Sequence, residues 1–241
     1  MTEKLKKKVG KAIHAYHQIE MNDRVLAGIS GGLDSLVMLE LLATRMKFIP
    51  IRYQLEAIHV YMEEMPELTD LKGLQEFTNR LGIRLHLLKA STERVGGQEK
   101  STCFRCSWNR RKTLFQTASE RGFNKIALAH HMDDALETLL MNMTFHGEMS
   151  SMPPKMPMFD GRFELIRPMI LSSDKEIKTY ANQQAIQPLQ GECPFEEQSK
   201  REKFREIIRE VSDMHRLAKI NLFNSMGNVN PNYLPSKPSD S

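Results

Sequence analysis

The apolar run Val25-Leu26-Ala27-Gly28-Ile29 stops at Ser30-Gly31-Gly32-Leu33-Asp34-Ser35 and restarts as the helical pattern Leu36-Val37-Met38-Leu39-Glu40-Leu41-Leu42. A strand, a tight Gly-Gly turn and a helix open a βαβ unit, which commits the chain to an α/β fold. The turn leaves several backbone N–H groups at a helix N-terminus, where unpaired donors and the macrodipole favour an anion such as phosphate. The glycines let the backbone come close to that ligand, and Ser30 and Ser35 add hydroxyl groups. Asp34 is too acidic to face a phosphate unaided, so a Mg²⁺ between them is expected. No Gly-Lys-Ser/Thr follows, which separates this loop from the Walker type. An ordinary Gly-rich strand–helix turn is the plain alternative.

The rest of the pattern alternates in the same way. Residues 5–18 read as a basic amphipathic helix, and strands are expected at 24–29, 55–60, 83–88, 125–129 and 165–170. Helices are expected at 35–46, at 66–81 ending on Gly82, at 107–121 ending on Gly122, and at 133–145. The proline-rich stretch 147–168 reads as an irregular or hairpin connection. Helices at 172–185, with Ser172 or Ser173 as N-cap, and at 196–222 complete the chain. The expected fold is α/β, a doubly wound, mostly parallel five-stranded sheet with helical N- and C-terminal extensions, and ligands at the carboxyl ends of its strands. The organisation reads as a basic N-terminal helix (1–22), a nucleotide-binding domain carrying a CxxC insertion (23–190), a C-terminal helical segment with the third cysteine (191–234) and a flexible tail (235–241).

With 241 residues, 40% of them hydrophobic and 27% charged, the chain can bury one large α/β core. There is no run of 18 apolar residues, and Met1 to Lys8 lack the apolar segment that export needs, so a cytoplasmic protein with no membrane partner is expected. A net charge of +4 permits an RNA partner without demanding one. Basic residues cluster at 4–11, at Arg110-Arg111-Lys112 and at 200–205, each of which also reads as the solvated face of a helix.

Three cysteines are an odd number for a disulfide framework, and the expected cytoplasmic setting is reducing, so their chemistry lies elsewhere. Cys103-Phe104-Arg105-Cys106 stands just before a predicted helix, and its two-residue spacing lets both sulfurs turn to one centre. The motif alone is open among zinc, a redox dithiol and an iron–sulfur cluster. Cys193 lies in a loop ahead of another helix. If the three converge, a [4Fe–4S] cluster with one iron free of protein ligands suits them; otherwise Cys193 is a small buried hydrophobe.

A third constellation, Ala129-His130-His131-Met132-Asp133-Asp134, leaves the fourth strand and opens a helix. His131, Asp133 and Asp134 are expected to face the same crevice as the phosphate loop, where carboxylates would help hold Mg²⁺ on a nucleotide. For Asp133 a helix N-cap is an equal alternative, and His130 reads as a packing residue.

The loop Ser30 to Ser35 resembles the SGGxDS loop of the PP-loop ATP pyrophosphatases, which adenylate a substrate and release pyrophosphate. With Cys103 to Cys106, the string from Lys125 to Asp134, Met152-Pro153-Pro154-Lys155, Arg167-Pro168, Cys193 and Phe223-Asn224-Ser225-Met226-Gly227-Asn228-Val229 in one order, residues 24–234 resemble the tRNA 2-thiocytidine synthetase family. That resemblance implies ATP binding by Ser30, Gly31, Gly32, Asp34, Ser35, His131 and Asp134. It implies a [4Fe–4S] cluster on Cys103, Cys106 and Cys193, Mg²⁺ on Asp34 and Asp133, and catalytic roles for Asp34 and the three cysteines. The implied reaction adenylates a tRNA cytidine at its C2 oxygen and replaces that oxygen with sulfur. Implied partners are tRNA, a sulfur donor (a cysteine desulfurase or sulfide) and a second copy of the chain.

The chain departs from the family at Leu33, where Lys is common, at Ala129, where Gly is usual, and at Glu196, where a second cysteine often stands. Competing readings are an iron–sulfur enzyme that removes sulfur from thionucleobases, a PP-loop amidating or lysine-adding ligase, and a non-catalytic nucleotide- or RNA-binding protein. An intact phosphate loop opposes the first of these and the cysteines oppose the second.

Overall fold

Helix α1 (Thr2–Ala15) precedes β1 (Arg24–Gly28), after which helices and strands alternate: α2 (Leu33–Met46), β2 (Gln54–Met62), α3 (Leu71–Leu81), β3 (Arg84–Ala90), α4 (Thr102–Glu120), β4 (Lys125–Ala127) and α5 (Met132–His146). A hairpin of β5 (Lys155–Met158) and β6 (Phe163–Ile166) follows, then α6 (Asp174–Gln183), α7 (Lys200–Met214), α8 (Ala218–Ser225) and a 3₁₀ turn, Pro231–Tyr233. The structure is a computed structural model that describes residues 2–63, 68–91, 102–191 and 200–235. The expectations for Cys193, Glu196 and most of the tail concern residues outside those ranges.

The sheet order is β3-β2-β1-β4-β6-β5. All neighbours run parallel except the β5–β6 pair. The chain winds outward from β1 through β2 and β3, then returns to the other side of β1 for β4, which makes the β1–β4 gap the topological switch point. Val25, Leu26 and Ala27 are fully buried, as a central strand covered on both faces requires. Val25 and Ala27 join the core built with α1, α2, α3 and α6, while Leu26 joins Leu114 and Ala118 of α4 on the opposite face.

The sheet has six strands where five were expected. The extra one, β5, carries Pro157, which cannot donate to a ladder and is tolerated because β5 is an edge. Strand β6 also ends earlier than expected, at Ile166, just before Arg167-Pro168. The expected last helix is broken between α7 and α8 by His215. Its Nδ1 accepts the Leu217 N–H and its carbonyl accepts the Ala218 N–H, replacing the helical bonds there.

The chain divides into two compact units, Met1–Met132 with Pro153–Gln198, and Asp133–Met152 with Ser199–Ser241. The first contains the sheet. The second is helical: Arg205 Nε donates to the buried Glu137 carboxylate at 2.9 Å, and Phe145 meets Phe204 edge to face at 5.7 Å. Among the described residues, no helix is long and apolar enough to cross a membrane.

Candidate functional site

Strand β1 delivers residues 30–35 to the carboxyl edge of the sheet, beside the exit of β4. Gly31 adopts φ +88°, and Gly32 is the N-cap of α2 with no side-chain cap bond. The first-turn amides of α2 are therefore not claimed by a capping side chain, which is the geometry an anion needs. Ser35 is buried and organises the turn: its hydroxyl donates to the Gly32 carbonyl at 2.7 Å and accepts the Ser30 N–H at 3.2 Å. The Ser30 hydroxyl accepts the Gly32 N–H at 3.1 Å. Both serines thus shape the loop, and Ser30 stays exposed beside it.

Three contacts that sequence reasoning missed hold the loop from outside. The Leu189 N–H donates to the Gly31 carbonyl at 2.8 Å, and the Thr69 hydroxyl donates to the Ser30 carbonyl at 3.4 Å. Thr69 in turn pairs with Gln190 as an isolated antiparallel bridge. Behind the loop, buried His59 donates from Nδ1 to the Ile29 carbonyl at 2.9 Å. Two chain segments far apart in sequence therefore brace one turn.

Asp34 stands in the first turn of α2 and His131 follows β4; His131 Nε2 lies 3.8 Å from Asp34 Oδ2. Asp174, the first residue of α6, joins them, and one ligand atom from each of the three lies within 4.8 Å of the others. From the sequence Asp174 is only a residue of the helix expected at 172–185. Its position is fixed by the capping box of α6, in which Ser173 and Glu176 satisfy each other's backbone N–H groups. Two carboxylates and one imidazole converging beside an anion cradle are a donor set that fits a divalent cation shared with phosphate.

Asp133 and Asp134 lie in the first turn of α5, which begins at Met132 and so leaves neither at the cap position. The buried Asp133 carboxylate is engaged by Lys219 Nζ at 2.5 Å. Cys103 and Cys106 also sit inside a helix, because α4 starts at Thr102 rather than after the motif. Their i, i+3 spacing puts both thiols on one face of its first turn, Cys103 exposed and Cys106 half-buried. Leu33, the residue that stands where the resembled loop has Lys, is half-buried and packs on the main core.

The PP-loop domain family matches residues 1–211. The chain is similar to the tRNA-cytidine(32) 2-sulfurtransferase of Marinobacter nauticus, at 33% identity over 97% of this chain and 78% of that protein. It is similar to the protein of the same name from Paracidovorax citrulli, at 34% identity over 97% and 76%. Among solved structures, a U34-tRNA thiolase from Methanococcus maripaludis with its [4Fe-4S] cluster superposes with a TM-score of 0.78, covering 99% of this chain and 84% of that one. At 22% identity that match speaks to the fold.

Proposed function

The chain belongs to the PP-loop proteins and, among them, to the tRNA-cytidine 2-sulfurtransferase family, and on that premise we propose that it spends ATP to activate a tRNA base, cytidine at its C2 oxygen, and exchanges that oxygen for sulfur. The observation that carries this reading is the meeting of the Gly31-Gly32 cradle with Asp34, His131 and Asp174 at one switch point. A cradle with a cation site beside it suits cleavage at the α-phosphate, where charge must be neutralised on both the transferred and the leaving group.

In this reading Ser30, Gly31, Gly32 and Ser35 hold the nucleotide phosphates, with His131 and Asp134 as further nucleotide contacts. Asp34 and Asp174 would hold Mg²⁺, with Asp133 an additional carboxylate from the sequence reading. Mg²⁺ supplies the charge that lets carboxylates face a triphosphate. The C2 oxygen attacks the α-phosphorus, the bond to pyrophosphate breaks, and AMP remains on the base. Sulfide then adds at C2 and AMP departs with the original oxygen. Cys103, Cys106 and Cys193 would ligate a [4Fe–4S] cluster, with Cys193 outside the described residues. The cluster supplies an iron site for the incoming sulfur when bound. The sulfur comes from a cysteine desulfurase or from sulfide, and the chain works as a cytoplasmic homodimer whose residues 23–190 form the nucleotide domain and 191–234 the segment bearing the third cysteine.

The test is an anaerobic assay of the reconstituted protein with unmodified tRNA, ATP and sulfide. Pyrophosphate release should depend on tRNA, and nucleoside mass analysis should find 2-thiocytidine. Cys103→Ser should remove the visible absorbance of the cluster and the thionucleoside while ATP binding persists. Pyrophosphate release indifferent to tRNA, with no thionucleoside formed, would overturn the proposal.

A further inference from the structure

Along the outer flank of α4 runs a groove of about 550 Å³. Trp108, Arg111, Lys112 and Phe115 line it from the helix, and Phe159 and Arg162 line it from the turn between β5 and β6. No carboxylate is among the residues that line it. Three cations therefore share a surface with four aromatic rings, Phe163 included, and two of the rings, Trp108 and Phe159, are exposed. The Lys112 ammonium lies 5.4 Å from the centre of the Trp108 ring.

The turn is built to present its aromatic residue. Phe159 at φ +50°, Asp160 at +56° and Gly161 at +83° follow one another in the left-handed region, where only glycine rests without strain. Phe159 nonetheless stays 53% exposed. A triad of rings fixes the turn against α4: Phe159 lies 5.8 Å from Phe115 and 5.5 Å from the buried Phe163. Strain kept at an exposed aromatic points to a role beyond folding.

The chemistry of the groove is that of a single-stranded nucleic-acid track: rings on which bases stack, with cations between them for the phosphates. At about 100° of rotation per residue, Trp108, Arg111, Lys112, Phe115 and Ser119 share one face of α4, and Cys103 and Cys106 lie on the opposite face. The turn before Phe163 lies at the amino edge of the sheet, so the groove runs roughly 16 Å from Trp108 to Ser119, away from the phosphate loop. Resting on the tRNA reading above, we propose that this groove binds a single-stranded stretch of the tRNA at a distance from the reacting base, with bases stacked on Trp108 and Phe159 and phosphates paired with Arg111, Lys112 and Arg162.

The experiment measures the affinity of the reconstituted chain for an unmodified tRNA transcript, by fluorescence anisotropy over a salt series. Arg111→Ala combined with Arg162→Ala should weaken binding about tenfold and reduce the slope of log affinity against log salt by about 1.4, at about 0.7 per single-strand phosphate contact. Trp108→Ala should weaken binding about tenfold with the salt slope unchanged, and Trp108→Phe should restore most of it, because a stacking surface returns. ATP binding and cluster absorbance should be the same in all variants. Wild-type tRNA affinity in these variants, with thiolation intact, would overturn the groove and leave the proposed function standing. Variants that lose only self-association, read by sedimentation, would overturn it in favour of a second copy of the chain. A wild-type chain that binds no tRNA would overturn both.

Discussion

Asp34 and Asp174 present carboxylate oxygens within 4.8 Å of each other, one from the first turn of α2 and the other from the first residue of α6. Two acidic groups this close repel each other; Lys178, 2.9 Å from Asp174, and His131, 3.8 Å from Asp34, offset part of that, and a divalent cation shared by the two carboxylates would offset more. Asp174→Asn should therefore raise the Mg²⁺ concentration needed for half-maximal pyrophosphate release by about tenfold or more. Asp34→Asn should do the same and lower the maximal rate. A Mg²⁺ titration of the tRNA-dependent reaction checks both; an unchanged Mg²⁺ requirement in Asp174→Asn would remove that residue from the site.

Gly31 cannot be replaced for two separable reasons. Its φ of +88° strains any L side chain, and a Cβ there would stand 2.7 Å from Thr69 Cγ2. Gly31→Ala should destabilise the fold by about 1–3 kcal/mol and abolish ATP binding. Thr69→Ser deletes that methyl group, so adding it to Gly31→Ala should recover the steric share of the loss but not the conformational one. Denaturant unfolding of the two variants separates the shares. Full recovery would show that backbone conformation contributes nothing.

Glu176 links acid stability to the site, because it completes the capping box that positions Asp174. Burial alone would raise its pKa, but hydrogen bonds from Lys8, the Ser173 backbone and Lys4 outweigh it and hold the carboxyl down to about 2. A folded-state pKa below the ordinary value of 4.5 means that the charged form stabilises the fold above that value. That stability is lost as pH falls from about 4.5 through about 2. Wild-type unfolding free energy should decline across this window, and Glu176→Gln should be less stable near neutrality with a shallower decline. Parallel pH profiles for the two proteins would exclude the linkage.

How far the sequence carried is best judged residue by residue. The β1 run and the Gly31-Gly32 turn were legible because period and turn chemistry are local. Strand β5 was not, since Pro157 argues against a strand everywhere except at a sheet edge, and edges are decided by the whole fold. Asp174 read as a helix start, and it is one; that it also faces Asp34 depends on the order in which β4 and β6 join the sheet. Thr69 and Gln190 brace the phosphate loop through a bridge between distant segments, for which no short-range pattern exists. What remained hidden is what topology alone brings together.

Leu33 yields the last prediction. It is the first residue of α2, next to the cradle, and its side chain packs on the main core rather than toward solvent alone. Leu33→Lys exchanges part of that apolar burial for a cation at the positive end of a helix, and both changes oppose folding. The unliganded variant should lose about 1 kcal/mol of stability, less than full burial of a leucine is worth because Leu33 is half-buried and a lysine stem can cover some of the same surface. A bound triphosphate reverses the electrostatic part, since the new ammonium then faces anionic oxygens instead of bare amide dipoles. ATP should accordingly bind more tightly to the variant and raise its melting temperature by more than it raises that of the wild type. Calorimetric titration and thermal melts with and without ATP check this. Equal ATP affinity in the two proteins would place the Leu33 side chain too far from the phosphates to matter.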